Sequence, residues 1–317
     1  MKKIFIALLL FCGLAVIAVY AFIPAKINFT DTVLINVKQT NADRFLTDET
    51  QWNKWWPKED NKNEQAGFNP NKTNYSYKNY LYLVNLQMLT GDSIIIKNDA
   101  LTINSLLYII PVNNDSISLQ WTVESTYTTD PFKRFKNYLQ GKQLKNNTAY
   151  LLEQMKKFLE NKEKVYGMRI DEEIVKDTFL IATRYSSNNY PTTNEIYDLI
   201  KNLQDYVSKN GAVETNKPML HIIADSGHFK TMVAIPVNKV IPENKKFLFK
   251  RMVPGRILVT EVKGGETLTT YTIKTIEKYM NDYHLQSPAI PFQLLITDRS
   301  KEADTTKWIT KIYYPVM

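Results

Sequence analysis

Residues Ile4 to Pro24 form a run of 21 positions without a charge, almost all of them apolar. A helix rises about 1.5 Å per residue, so such a run spans roughly 30 Å, the hydrocarbon thickness of a bilayer. Lys2 and Lys3 precede it, and a polar chain of mixed charge follows from Lys26. The positive-inside tendency puts the short tail in the cytoplasm and everything after Ala25 outside it. A cleavable signal has a shorter apolar core, about 7–15 residues, and a small-residue cleavage site. Val19-Tyr20-Ala21 offers such a site, yet the run continues through Phe22 and Ile23. Residues 1–25 therefore read as an uncleaved single-pass anchor in the cell inner membrane, with the bulk of the chain facing the periplasm. Secretion after cleavage is the alternative. The only cysteine, Cys12, lies inside the run behind Phe11, where lipid attachment wants a small residue. The exported body therefore has no disulfides.

The body exceeds a comfortable single core, so two domains are expected. Hydrophobic residues at 44% and aromatics at 12% suffice for packed cores and argue against disorder. The net charge of +8 is spread along the chain, which suits an anionic membrane surface nearby. No stacked-aromatic or helix-turn-helix pattern stands out, and no nucleic-acid partner is expected.

Ile27, Phe29, Val33, Ile35 and Val37 alternate and predict a first strand. Asn41 to Trp56 reads as a short helical stretch and 58–72 as a polar loop. Three strands are expected at Tyr75–Leu89, Leu101–Pro111 and Ile117–Tyr127. Asp130-Pro131 supplies a cap and a first-turn proline for a helix with Phe132, Phe135, Tyr138 and Leu139 as its apolar stripe. After an interruption at Gly141, Leu151, Leu152, Met155, Phe158 and Leu159 continue the helical spacing to about Lys164.

Residues 168–317 hold an internal duplication, each half reading strand, helix, strand, strand. Phe179 to Ser187 aligns with Ile257 to Gly265. Lys217 to Asp225 aligns without gaps with Ile290 to Asp298, and Met232-Val-Ala-Ile-Pro-Val with Lys311-Ile-Tyr-Tyr-Pro-Val. Thr192 and Glu195 stand in capping-box spacing before a stripe of Ile196, Leu199, Ile200, Leu203, Tyr206 and Val207. The second helix carries Ile273, Ile276, Tyr279, Met280 and Tyr283. Two such halves can pair about a pseudo-twofold axis, leaving a cleft between their helices above the sheet centre.

These C-terminal pieces, with Val253-Pro-Gly-Arg-Ile-Leu-Val, Lys263-Gly-Gly and Trp308 to Val316, resemble the GyrI-like effector-binding domain found on AraC-type regulators. The early strand, the Trp52, Trp55, Trp56-Pro57 cluster, the hairpin strands and the long last helix resemble the SRPBCC (START-like) helix-grip fold. The expected fold class is α+β: a transmembrane helix in 1–25, an SRPBCC-like domain in 26–166 and a duplicated β-α-β-β GyrI-like domain in 167–317. The resemblance implies a small-molecule pocket on the sheet. Where the family commonly has an acid that meets cationic ligands, this chain has Gln293, and the Thr-Glu-Ile near the family's end is Thr310-Lys311-Ile312 here. Aromatics of the family near the glycine turn are replaced by Ile257 and Glu266. Tyr313 remains at a position the family uses to line the pocket.

The chemistry-bearing residues have plain structural readings beside functional ones. The three tryptophans suit a core cap better than a ligand mouth. Asp225-Ser226-Gly227-His228 sits between two strands and reads as a hairpin turn, not a nucleophile. His221, His228 and His284 lack ligand spacing, so no metal and no cofactor are expected. Asp171, Glu172 and Glu173 suit a solvated strand edge. Lys263-Gly264-Gly265 reads as a tight turn before a helix, with anion binding as the alternative. The expected function is membrane-anchored, extracytoplasmic small-molecule binding, with Gln293 as polar selector and Tyr313, Trp308 and Tyr185 as walls. A hydrolase, with Glu261 or Glu266 standing in for the lost acid, and a non-catalytic envelope scaffold are the alternatives, and the residues favour binding over catalysis.

Overall fold

The computed structural model describes residues 2–46, 48–58, 74–88, 91–99, 101–175, 178–252 and 254–317, and the chain divides into two compact units, 1–165 and 166–317. The polar loop expected at 58–72 lies almost wholly outside the described residues.

The first unit opens with α1 (Lys2–Phe22), whose stretch from Lys3 to Phe22 is long and apolar enough to cross a bilayer and is nowhere buried. Strand β1 (Asn28–Ile35), helix α2 (Gln39–Leu46) and a 3-10 turn (Glu49–Lys54) follow. Then come β2 (Asn74–Tyr77), β3 (Tyr80–Met88), β4 (Gly91–Asn98), β5 (Leu101–Asn113) and β6 (Ser116–Glu124), and the unit closes with α3 (Pro131–Leu159) and α4 (Lys162–Tyr166). The strands form one antiparallel sheet in the order β1-β6-β5-β4-β3-β2. Strand alternation aims Ile117, Leu119, Trp121 and Val123 of β6 at the core, as their period of two predicts. Trp52, Trp55 and Trp56 join that core against Tyr75 and Tyr82.

Two expectations are corrected here. The segment read as one strand from Tyr75 to Leu89 is a hairpin, and Gly91–Asn98 is a further strand that the sequence reading left out. The helix does not break at Gly141. A mid-helix glycine costs only about 1 kcal/mol, and this one lets Ile27 lie against the backbone: an added Cβ would come within 3.0 Å of the Ile27 side chain.

The second unit contains β7 (Asp171–Ile174), β8 (Thr178–Ser187), α5 (Thr193–Lys209), β9 (Met219–Asp225), β10 (His228–Val237), β11 (Leu248–Met252), β12 (Arg256–Lys263), α6 (Glu266–Asp282), β13 (Phe292–Leu295) and β14 (Ile309–Val316). Its antiparallel sheet runs β11-β8-β10-β9-β13-β14-β12-β7, and the six central strands read the same from either end when each half is taken as strand, helix, strand, strand. Leu220 and Gln293, equivalent in the ungapped alignment of the halves, pair directly where β9 meets β13. Val233 pairs with Thr183, and its counterpart Ile312 with Thr260. Leu180, not Phe179, is therefore the counterpart of Ile257. Each segment opens on three or four consecutive apolar residues, Phe179 to Ala182 and Ile257 to Val259, with no alternation to mark their parity, so the sequence alignment slipped by one residue. Strand β11 was also not anticipated. The Asp225-Ser226-Gly227-His228 segment is a tight hairpin turn, with Ser226 at φ 50° and Gly227 at φ 84°.

Paired residues share a face of a sheet. Thr183, Val233, Leu220, Gln293, Ile312 and Thr260 therefore stand in one row across six strands. This is the helix-covered face: Val233, Leu220, Ile181, Ile235 and Leu295 pack with Ile196, Ile200 and Leu203 of α5. The opposite face carries Leu180, Ala182, Met219, Ala234 and Leu294, with Phe292 and Tyr313 beside them.

Candidate functional site

The site is built where α5 and α6 begin. Helix α5 is capped by Thr192, whose hydroxyl accepts from the Glu195 backbone N–H, while the Glu195 carboxylate accepts from the Thr192 N–H at 2.7 Å and the Thr192 hydroxyl at 2.8 Å. The Tyr185 hydroxyl donates to the same carboxylate at 3.0 Å. The Thr192 backbone N–H, then the Thr192 and Tyr185 hydroxyls, hold the Glu195 carboxyl below its ordinary range. Helix α6 starts at Gly265 with no side-chain cap. Its first residue, Glu266, accepts from the Tyr190 hydroxyl, so the starts of the two helices are tied together. Burial and then the Glu266 carboxylate push the Tyr190 phenol far above its ordinary value, so it keeps its proton and donates.

Arg299 lies beneath this contact with 7% exposure. Its guanidinium donates to the Thr310 hydroxyl at 2.7 Å, stacks over the Trp308 ring at 4.7 Å and comes within 4.0 Å of Glu266. Burial lowers its pKa, while Glu266, Tyr197 and Tyr190 oppose the shift. The Tyr197 hydroxyl accepts from the Arg299 backbone N–H at 2.6 Å and pins the loop from β13 to β14. Trp308 donates from Nε1 to the Glu302 carbonyl at 2.8 Å, and so supports the loop that presents Arg299.

A surface recess of about 480 Å³ opens beside α5, lined by Tyr185, Asn189, Tyr190, Thr192 and Glu195 among others. Three buried polar side-chain atoms of this unit have no hydrogen-bond partner among the described residues: Gln293 Oε1, Thr231 Oγ1 and Arg299 Nε. Thr231 pairs with Tyr185 and Ile222, which puts it on the helix-covered face together with Gln293, and Arg299 bonds Thr310 of the same face. Thr310 and Thr231 are counterparts in the two halves. Arg299 occupies the hydroxyl of one, and no described residue hydrogen-bonds the other.

The four expected site residues do not form one pocket. Tyr185 lines the recess. Gln293 is buried at the sheet centre, 5% exposed. Tyr313 cannot wall a cleft with Gln293: Gln293 pairs with Ile312, so the next residue points to the opposite face, where Tyr313 stacks on Phe292 at 5.0 Å. Trp308 is a packing partner of Arg299. Of the two stand-in acids, Glu266 belongs to the network, whereas Glu261 pairs with Lys311 on the other face. Sequence reasoning missed Tyr190, Thr231 and Arg299. One signal was available: the aligned Asp225 and Asp298 are followed by a two-residue turn in one half and a long loop in the other. Among the described residues, no group of three or more His, Cys, Asp or Glu side chains could hold a metal.

The first unit has unpartnered buried polar atoms of its own. Among the described residues, both side-chain amide atoms of the fully buried Asn147 on α3 find no hydrogen-bond partner, nor do Asn41 Oδ1 and the indole nitrogens of Trp52 and Trp55.

No protein-family model matches the chain, and no curated protein does. Solved structures do resemble it at low identity. The EcmrR C-terminal domain is 14% identical, covering 47% of this chain and 98% of that one at a TM-score of 0.41. SAV2435 bound to tetraphenylphosphonium is 14% identical, covering 47% and 94% at 0.32. A hydrolase from Listeria innocua is 11% identical, covering 47% and 92% at 0.38. Likenesses of this size assign neither a family nor a function.

Proposed function

We propose that this chain is a membrane-anchored, extracytoplasmic binding protein for a small polar molecule, held on the helix-covered face of a duplicated, GyrI-like second unit. The observation that carries the reading is the set of three unpartnered buried atoms on that face. Buried polar groups in folded proteins are nearly always hydrogen-bonded, and each one left alone costs about 1–3 kcal/mol. Gln293 Oε1 accepts, Arg299 Nε donates, and the Thr231 hydroxyl does either. A ligand carrying both a donor and an acceptor, such as an amide or a zwitterion, satisfies that set. A donor at Thr231 would repeat what Arg299 does for Thr310 in the other half. Tyr185, which pairs with Thr231, lines the recess beside α5.

The test is a thermal-shift screen of the full chain in detergent against amino acids, small amides and carboxylates. A compound at about 100 times its Kd adds roughly 2.7 kcal/mol to stability. The shift is expected to vanish in the Gln293→Leu, Thr231→Val double variant. No shift with any compound, or a shift that survives the double variant, overturns this site. Asn147 favours a second reading, with the ligand inside the first unit, read there as SRPBCC-like. In that case Asn147→Leu, and not the double variant, abolishes the shift.

A further inference from the structure

The apolar stripe at the start of α3 faces the wrong way for a core. At roughly 100° per residue, Phe132, Phe135, Tyr138 and Leu139 lie on the side of the helix opposite Leu144, Thr148, Leu151 and Met155, which are buried. Phe132 is 83% exposed and Phe135 49%. Tyr127, just before the helix, is 69% exposed. Aromatic side chains of this size are rarely left bare together on a water-facing surface.

Their position gives the reason. Arg134 donates from Nε to the Ile23 carbonyl at 2.6 Å and lies over the Tyr20 ring at 5.1 Å. The Tyr20 hydroxyl donates to the Thr129 carbonyl, and the Thr128 N–H donates to the Ala25 carbonyl at 3.0 Å. The first turn of α3 is therefore clamped at the level of residues 20–25, where the apolar span of α1 ends. At the same angular step Lys136 borders the stripe.

We propose that the first turns of α3 lie in the interfacial layer of the leaflet from which α1 emerges, with Phe132 and Phe135 reaching the acyl boundary and Lys136 meeting anionic headgroups. An apolar, aromatic stripe bordered by a lysine suits an interfacial helix, and aromatic rings favour the headgroup level. This inference rests on the reading of α1 as embedded in a bilayer. It adds that the first unit is held against the membrane in a fixed orientation instead of swinging on a tether.

Site-directed spin labelling of the full chain tests it. In a Cys12→Ser background, single cysteines replace Gly13, Phe132, Phe135 and Asn114, and the protein is reconstituted in vesicles of phosphatidylcholine and phosphatidylglycerol. Asn114 sits in the turn between β5 and β6, at the far end of the sheet from the Asn28–Glu124 pair that follows the anchor. The ratio of oxygen to water-soluble nickel accessibility is expected to be several-fold higher at 132 and 135 than at 114, and highest at 13. A lipid-like value at 13 with water-like values at 132 and 135 overturns the docking while the anchor stands. Shielding of 132 and 135 from both reagents also overturns it, because protein then covers the stripe. A water-like value at 13 overturns the anchor and the docking together.

Discussion

Arg299 is a buried cation whose nearest carboxylate is 4.0 Å away and partly exposed. A charge removed from water must recover its hydration through pairing and hydrogen bonds, and here one hydrogen bond, one ring and one distant ion share that task. Removing either partner has unequal consequences. Glu266→Gln leaves Arg299 with a weaker partner and is expected to destabilise the second unit by about 1 kcal/mol, well short of the 3–5 kcal/mol of a fully buried pair. Arg299→Met removes the desolvated charge with similar volume and is expected to be neutral or stabilising. Chemical denaturation of the two variants checks this, and a larger loss for Arg299→Met than for Glu266→Gln would refute the account. None of this was legible in the sequence. Arg299 follows Asp298 in what reads as a loop, and only the fold brings it to Thr310, Trp308 and Glu266. Gln293 was legible by its place in a strand motif, but its neighbours were not. The residue expected to share its pocket, Tyr313, is one step out of phase with Ile312, the residue that pairs with Gln293.

Among the elements, α5 shows what local sequence can specify. Its capping box is written in Thr192 and Glu195 and is formed as written. Because the folded Glu195 pKa is lowered, its contribution is fully present above the ordinary carboxylate value of 4.5 and is lost as pH falls through the lower folded value. The stability gap between the native chain and Glu195→Gln, measured by urea denaturation, should be constant near neutral pH and shrink only below that range. A gap that is flat into strong acid would show the carboxylate to be unimportant. The start of α3 at Asp130-Pro131 and the turn at Ser226-Gly227 were equally legible, because caps and tight turns are decided by a few adjacent residues. Strands β4 and β11 were not. β11 has five residues and is an edge strand whose placement depends on pairing with β8, far from it in sequence. Helix α6 buries Ile276, Tyr279 and Met280 of its expected stripe, and beside them three threonines that were not anticipated, Thr269, Thr272 and Thr275, each bonded to a carbonyl four residues back.

At the scale of the whole molecule, the proposed orientation in a membrane rests on a narrow balance of charge. Lys2 and Lys3 stand at one end of the apolar run, and Lys26 and Lys38 are the nearest cations beyond its other end. Positive charges close to the span decide its orientation, while a long following domain is translocated largely regardless of its own charge. Two lysines stand on each side, but both of the first pair adjoin the run while Lys38 lies well beyond it, and the prediction is correspondingly sharp. Alkaline phosphatase fused after Met317, which matures only where disulfides form, should be active in the native chain. It should lose most of its activity when Lys2→Glu and Lys3→Glu are combined, because Lys26 and Lys38 then hold their side in the cytoplasm. Full activity in that variant would show that these two lysines do not set the topology. An inactive native fusion would place both units in the cytoplasm. Phe132 and Phe135 would then face the inner leaflet, and the polar layer around Gln293 would meet cytosolic solutes.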